Sequence, residues 1–279
     1  GLVSCGKKSI ELDLKSDQGR DVFHRLAASS DVIIEGFRPG VVSRLKVGYE
    51  DVKKLKPDIV YCSISGFGQD GPYRDKPGHD VNYLALSGYF SVPSQVGAVP
   101  SRPGIPVVDL CAGMFAATSI IAALMAKGRT GEGQYIDVAM FDAITAWTSI
   151  RSEAIRASVT DEHIVATNDV FRTKDDKLIA LGIVNEQHFW VNFCQIAGRG
   201  LLTDKRFSTY EDRQENREEL SRILRGIFSK KTRGEWLRMF ENADAPLSPA
   251  LTLEESLSDP HIAHRGLIKG ITHADLGEI

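Results

Sequence analysis

The sequence predicts an α/β protein, with a parallel, helix-covered sheet in its first half and a smaller α+β domain after it. Three observations carry that reading. Short apolar or β-branched runs alternate with helical patterns over residues 10 to 65. The pattern changes near residues 160 to 170, where a hairpin-like segment precedes three helical stretches. The composition, 42% hydrophobic and 25% charged over 279 residues, is that of a folded chain able to bury a sizeable core. The expected domains are residues 1–160 and 161–279.

Each element has its own warrant. Ile10, Leu12 and Leu14 alternate with polar residues, which predicts a strand. Val22, Phe23 and Leu26 fall at helical spacing within residues 17–28. The run DVIIEGF at 31–37 predicts a second strand, and DIVYCSIS at 58–65 a third. Between them, residues 41–56 hold one or two short helices around Gly48, ended by Pro57. Residues 80–91 read as helix and 94–106 as a proline-rich loop. Ala112 to Ala126 is the most apolar stretch; it predicts a buried helix capped by Gly128, too short to span a bilayer. Residues 135–140 return as a strand. In the second domain, 170–173 and 178–182 flank Lys174-Asp175-Asp176-Lys177 as a hairpin, and helices follow around 186–197, 212–229 and 233–242.

Charge and cysteine usage narrow the function classes. Lys+Arg 34 against Asp+Glu 37 leaves a formal charge of -3, so no basic field points to nucleic acid. Cys5, Cys62, Cys111 and Cys194 show neither CxxC pairing nor metal-ligand spacing, which predicts free thiols in a reducing compartment. The chain opens without a signal-peptide pattern, so the expectation is a cytoplasmic protein with no membrane partner, no nucleic-acid partner and no metal. It also opens without methionine, and Gly1 to Lys8 reads like the middle of something.

Ligands of open parallel sheets bind beyond the carboxyl ends of the strands. Two loops are expected there, Glu35 to Gly40 (EGFRPG) and Ser65 to Gly71 (SGFGQDG). The second loop contains GxGxxG, yet Pro72 to Pro77 follow where a dinucleotide site needs a helix, so a mobile loop is preferred. Arg38 and Arg44, helped by Lys7 and Lys8, could hold an anion or be solvated surface charge. His79 precedes a helix in a Gly-His-Asp turn, and Asp80 could be that helix's N-cap. Asp109 and Glu186 each stand before a predicted helix, where capping and chemistry are compatible readings.

Three segments then resemble one family: SISGFGQDGPYRDKPGHDVNYLALSG, the EGFRPG loop, and KGRTGEGQYIDVAMFDA. They are similar to the family III CoA-transferase superfamily, which contains formyl-CoA-type transferases and α-methylacyl-CoA racemases. The resemblance implies a Rossmann-like sheet domain, an interlocked homodimer, and coenzyme A as part of an acyl-CoA substrate rather than as a resident cofactor. It also implies that the chain is truncated at both ends, without a first βα unit.

Position by position, the resemblance assigns CoA contacts to Gly36, Phe37, Arg38 and Arg44. The racemase-like turn falls on Gly78, His79, Asp80, Val81, Asn82 and Tyr83, with His79 as one catalytic base. Asp109 matches the catalytic aspartate, 30 residues after His79 as in racemases. Glu186 matches a third racemase carboxylate, with Gln187 where those enzymes often have proline. The leading expectation is α-proton exchange of a 2-methylacyl-CoA thioester between two groups on opposite faces, with dipoles stabilising the enolate. The alternative is CoA transfer between carboxylic acids through an Asp109 anhydride and an aspartyl-CoA thioester; Asp109-Leu110-Cys111-Ala112-Gly113 is the more transferase-like segment. A third expectation is an inactive CoA-binding fragment.

Overall fold

The computed structural model describes residues 6–92, 95–97, 101–151, 164–268, 270, 272–273 and 277–278. Cys5 lies outside the described residues. The chain divides into two compact units, Gly1–Val92 with Pro100–Ser158, and Pro93–Val99 with Val159–Ile279.

The first unit is built on three parallel strands, β1 (Val32–Glu35), β2 (Val60–Ser65) and β3 (Gln134–Ala139), in the order β1-β2-β3. β2 is central, and Val60, Tyr61, Cys62 and Ser63 are all buried, which is why it reads as a nearly continuous apolar run. Helix α1 (Asp17–Ala28) starts where Ser16 accepts the N–H of Gly19 and Asp17 sits at the positive helix end. Two single-turn helices, α2 (Val41–Arg44) and α3 (Tyr49–Val52), carry the chain from β1 to β2. Between β2 and β3 come α4 (Asp80–Leu86) and the long α5 (Val107–Thr130); α6 (Met140–Thr148) begins directly after β3.

Three sequence expectations fail here. Residues 10–14 form no strand: Ile10 is exposed, and among the described residues no strand pairs with this segment. Lys7 and Lys8 therefore lie in irregular chain rather than at a strand start. The helix expected between 112 and Gly128 runs from Val107 to Thr130 and ends at Gly131, which has φ +75°. At 24 residues, α5 is long and apolar enough to cross a membrane by length and composition.

Nor is α5 simply buried. Val108, Cys111, Ala112, Ala116, Ile120 and Ala123 form its buried stripe, and the small residues let it lie close to β2 and β3. Its other side exposes Leu110, Met114, Ile121 and Met125.

The second unit holds an antiparallel sheet of β4 (Asn168–Arg172), β5 (Leu178–Gly182) and β6 (Leu247–Ala250), in that order. The expected hairpin is present, with Asp176 taking the left-handed conformation in its turn, φ +62°. β6 contains Pro249, which argues against a strand in sequence; at the sheet edge its missing N–H is tolerated. The helices are α7 (Gln187–Ala197), α8 (Gly200–Thr203), α9 (Tyr210–Glu215), α10 (Arg217–Phe228), α11 (Arg233–Met239), α12 (Leu253–Leu257) and α13 (Pro260–His264). Thr173-flanked β4, β5, α7, α10 and α11 enclose a core centred on Phe171, Trp190, Phe193, Phe228 and Trp236. A two-stranded pair, β7 (Thr272–His273) with β8 (Gly277–Glu278), closes the described chain.

Candidate functional site

The carboxyl ends of β1 and β2 open into the two loops expected from sequence. In the first, the Glu35 carboxylate accepts the N–H of Phe37 at 2.7 Å and folds the strand end back on itself. Phe37 and Arg38 are exposed beyond that turn. Gly40 has φ +79°, and a Cβ placed on it would stand 3.3 Å from Arg44 Nη1 and 3.2 Å from Arg74 Nη2. Two guanidinium groups therefore approach one point beside the loop.

Arg74 is the residue that sequence reading missed. It belongs to the segment after Gly71, which the sequence reads only as a loop. Its Nε donates to Gln69 O at 2.8 Å and its Nη1 to Asp75 at 3.0 Å, which fixes the guanidinium plane and leaves Nη2 beside Gly40. The available signal was positional: its loop leaves the same sheet rim as EGFRPG. Like charges this close favour an anion between them, and planar guanidinium groups suit phosphate oxygens.

The GxGxxG letters have a packing explanation. A Cβ on Gly66 would lie 2.4 Å from Tyr83 Oη, and one on Gly78 would lie 2.8 Å from Tyr83 Cε1. The Tyr83 ring is thus laid against two glycine backbones, while Phe67 meets it edge-on at 5.1 Å. Gly68 and Gly71 take positive φ, +87° and +83°. Within the motif it is Gly66 that makes room for the tyrosine, while Gly68 and Gly71 serve the turn.

His79 is exposed at the N-cap position of α4, and its N–H donates to Asn82 Oδ1 at 3.0 Å. Asn82 thereby serves the turn. Asp80 is not the cap of its own helix. It is the first residue of α4, and its Oδ2 accepts the N–H of Val108 at 2.8 Å. Asp109 is likewise not a cap: it is the third residue of α5, after the N-cap Pro106. Its carboxylate is exposed and has no hydrogen-bond or ion-pair partner among the described residues.

Burial raises the Tyr83 phenol above its ordinary range, the Asp109 carboxylate pushes it further up, and Arg38 opposes both. Tyr83 thus senses the carboxylate and the arginine together. Arg38 and Asp109 both act electrostatically on Tyr83, and the carboxylate of Asp80, next to His79 in sequence, accepts the N–H of Val108, next to Asp109.

Glu186 belongs to the second unit. It occupies the N-cap position of α7 without capping it by its side chain; the carboxylate instead accepts the N–H of Val184 at 3.0 Å. Hydrogen bonds from its own backbone N–H and that of Val184 hold its carboxyl below the usual range. Gln187 has structural work of its own, accepting from the buried Arg213 at 3.0 Å and donating to Ser208 O at 2.8 Å.

Residues 2–279 match CoA-transferase family III. The chain belongs to that family. Its similarity to family III members spans both chemistries. It is 35% identical over 95% of its length to an acyl-CoA transferase of Fusarium pseudograminearum, and 34% identical over 99% to succinyl-CoA:glutarate CoA-transferase of Mus musculus. It spans 60% and 65% of the lengths of those two curated relatives. To the human α-methylacyl-CoA racemase it is 33% identical over 94% of its length, spanning 69% of that protein. Among solved structures it is similar to Rv3272 of Mycobacterium tuberculosis, with TM-score 0.84 at 26% identity, covering 98% of this chain and 75% of that one. A CAIB/BAIF family protein of Brucella suis gives TM-score 0.82 at 26% identity, covering 98% and 77%.

Proposed function

We propose that this family III chain processes acyl-CoA thioesters, exchanging the α-proton of a 2-methylacyl-CoA between His79 and Asp109. The observation that carries the reading is the joint between the two elements: an exposed imidazole and an exposed carboxylate stand on peptides tied by the Asp80–Val108 hydrogen bond. In this reaction one group removes the α-proton, leaving an enolate, and the other returns a proton to the opposite face. The positive end of the α5 dipole favours the negative charge that develops on the thioester oxygen. Arg38, Arg44 and Arg74 supply the anion-binding rim for CoA phosphates.

The second reading is CoA transfer, and the partnerless Asp109 carboxylate favours it. A carboxylate that attacks a thioester carbonyl forms an anhydride and releases CoA thiolate. The thiolate then attacks the aspartyl carbonyl, giving Asp109-CoA thioester and freeing the first acid; the acceptor acid reverses these steps.

Incubating the protein with one 2-methylacyl-CoA epimer in deuterated water, without acceptor acid, distinguishes them. Proton exchange predicts deuterium at the α-carbon and appearance of the other epimer, both lost in His79→Ala. CoA transfer to an added acid without such exchange, with hydroxylamine trapping at Asp109, would overturn the racemase reading.

The apolar side of α5 supports a further part of the proposal, that a second copy of the chain covers it and completes a homodimer. Leu110, next to Asp109 in sequence, is part of that side. Light scattering should give a dimer mass; a monomer would remove this part. Three buried thiols, Cys62, Cys111 and Cys194, support a reducing, cytoplasmic setting.

A further inference from the structure

Helix α5 starts without a cap of its own. Its N-cap residue is Pro106, whose side chain has no oxygen to accept from the first-turn N–H groups. The missing acceptor comes from 28 residues earlier, where Asp80 Oδ2 takes the N–H of Val108 at 2.8 Å. The helix that holds Asp80 does not use it for capping: its N-cap is His79, and the His79 N–H is satisfied by Asn82.

The placement of this bond is what gives it consequence. Asp80 is the neighbour of His79, and Val108 is the neighbour of Asp109. Val108 is fully buried and packs with Tyr83, Leu84 and Ile144, so the joint is inside a small core while both reactive groups stand outside it. The second carboxylate oxygen, Oδ1, is also buried and accepts nothing among the described residues. Apart from packing, this bond is the polar link between the two peptides among the described residues.

We propose that Asp80 is a positioning residue: its carboxylate caps α5 in trans and thereby sets the separation of His79 from Asp109. This rests on the acyl-CoA reading for its catalytic consequence. The geometric part stands on the bond alone. A reaction that moves a proton or acyl group between fixed side chains loses rate steeply when one is displaced, whereas binding of the distant CoA moiety does not depend on that separation.

The test compares Asp80→Ala with Asp80→Asn in the full chain. Asparagine keeps an oxygen that can accept from Val108; alanine does not. Asp80→Ala should lower kcat by on the order of 10²-fold with KM for acyl-CoA within about twofold, and Asp80→Asn should restore kcat to within roughly tenfold of wild type. Hydrogen exchange of the segment 106–112, read by mass spectrometry, needs no activity: it should accelerate in Asp80→Ala and stay near wild type in Asp80→Asn. Unchanged exchange in Asp80→Ala overturns the proposal. So does kcat unchanged in that variant, a matching loss of kcat and CoA binding, or an Asp80→Asn variant as impaired as Asp80→Ala. A wild type with no acyl-CoA activity, but with the predicted exchange pattern, would defeat the functional reading and leave the capping role intact.

Discussion

Replacing Gly66 by alanine should destabilise the first unit through one identifiable clash. The new Cβ would stand 2.4 Å from Tyr83 Oη, 3.0 Å from Cζ and 3.1 Å from Cε1. Neither partner has an easy retreat. Gly66 O accepts the N–H of Phe141 at 3.0 Å, which pins the backbone. The Tyr83 ring is 4% exposed, packs edge-on against Phe67, and lies against Gly78, where a Cβ would come 2.8 Å from Cε1. Overpacking of this kind costs about 1–3 kcal/mol. For a unit of roughly 150 residues, each kcal/mol lowers Tm by about 2–4 °C. Differential scanning calorimetry on Gly66→Ala, Tyr83→Phe and the double variant reads it directly. Tyr83 Oη has no hydrogen-bond partner among the described residues, so Tyr83→Phe alone should change Tm little. In the double variant the closest contact disappears, and the two changes should be non-additive by about 1 kcal/mol in the stabilising direction. A Gly66→Ala protein that melts with wild type, or a strictly additive double variant, would refute the packing argument.

Removing either guanidinium beside Gly40, by Arg44→Ala or Arg74→Ala, should weaken CoA binding roughly three- to tenfold at low ionic strength. The effect should shrink as salt is added, because both groups face solvent; titration calorimetry at two salt concentrations checks it, and an Arg74→Ala affinity equal to wild type removes Arg74 from the rim. Acid stability should depend on Asp58, whose carboxyl is held down to about 2 by hydrogen bonds from Lys127 and then Lys56. Because the folded value is depressed, its stabilisation is fully present above the unfolded value near 3.8 and is lost as pH falls through about 2. Asp58→Asn should therefore flatten the pH dependence of stability within that window, as measured by urea melts at stepped pH. In the second unit, Thr232 caps α11 by accepting from Glu235 N while the Glu235 carboxylate accepts from Thr232 N. Thr232→Ala should cost about 1 kcal/mol in a urea melt, and an unchanged midpoint would show that the cap is dispensable.

Sequence alone determined what short-range chemistry decides. Ser16 and Asp17 mark the start of α1, the β-branched runs mark β1 and β2, and Lys174 to Lys177 mark the turn between β4 and β5. Those signals are local, so spacing and residue type suffice to read them. The same holds for the motifs that point to family III, since EGFRPG, GHDVNY and the position of Asp109 are contiguous words. What the words do was decided elsewhere. Residues 10–14 alternate like a strand, yet a strand exists only where another backbone accepts its hydrogen bonds. Asp80 and Asp109 both stood where a local N-cap is expected; the fold made the first the cap of another helix and left the second in the first turn with no hydrogen-bond partner among the described residues. The first glycine of GxGxxG, Gly66, answers to a tyrosine ring 17 residues after it. Arg74 and Arg44 both come up to Gly40 only because two loops leave neighbouring strands at the same rim. Each of these is a pairing across chain distance, and a linear pattern carries the residues for it but not the geometry that brings them together.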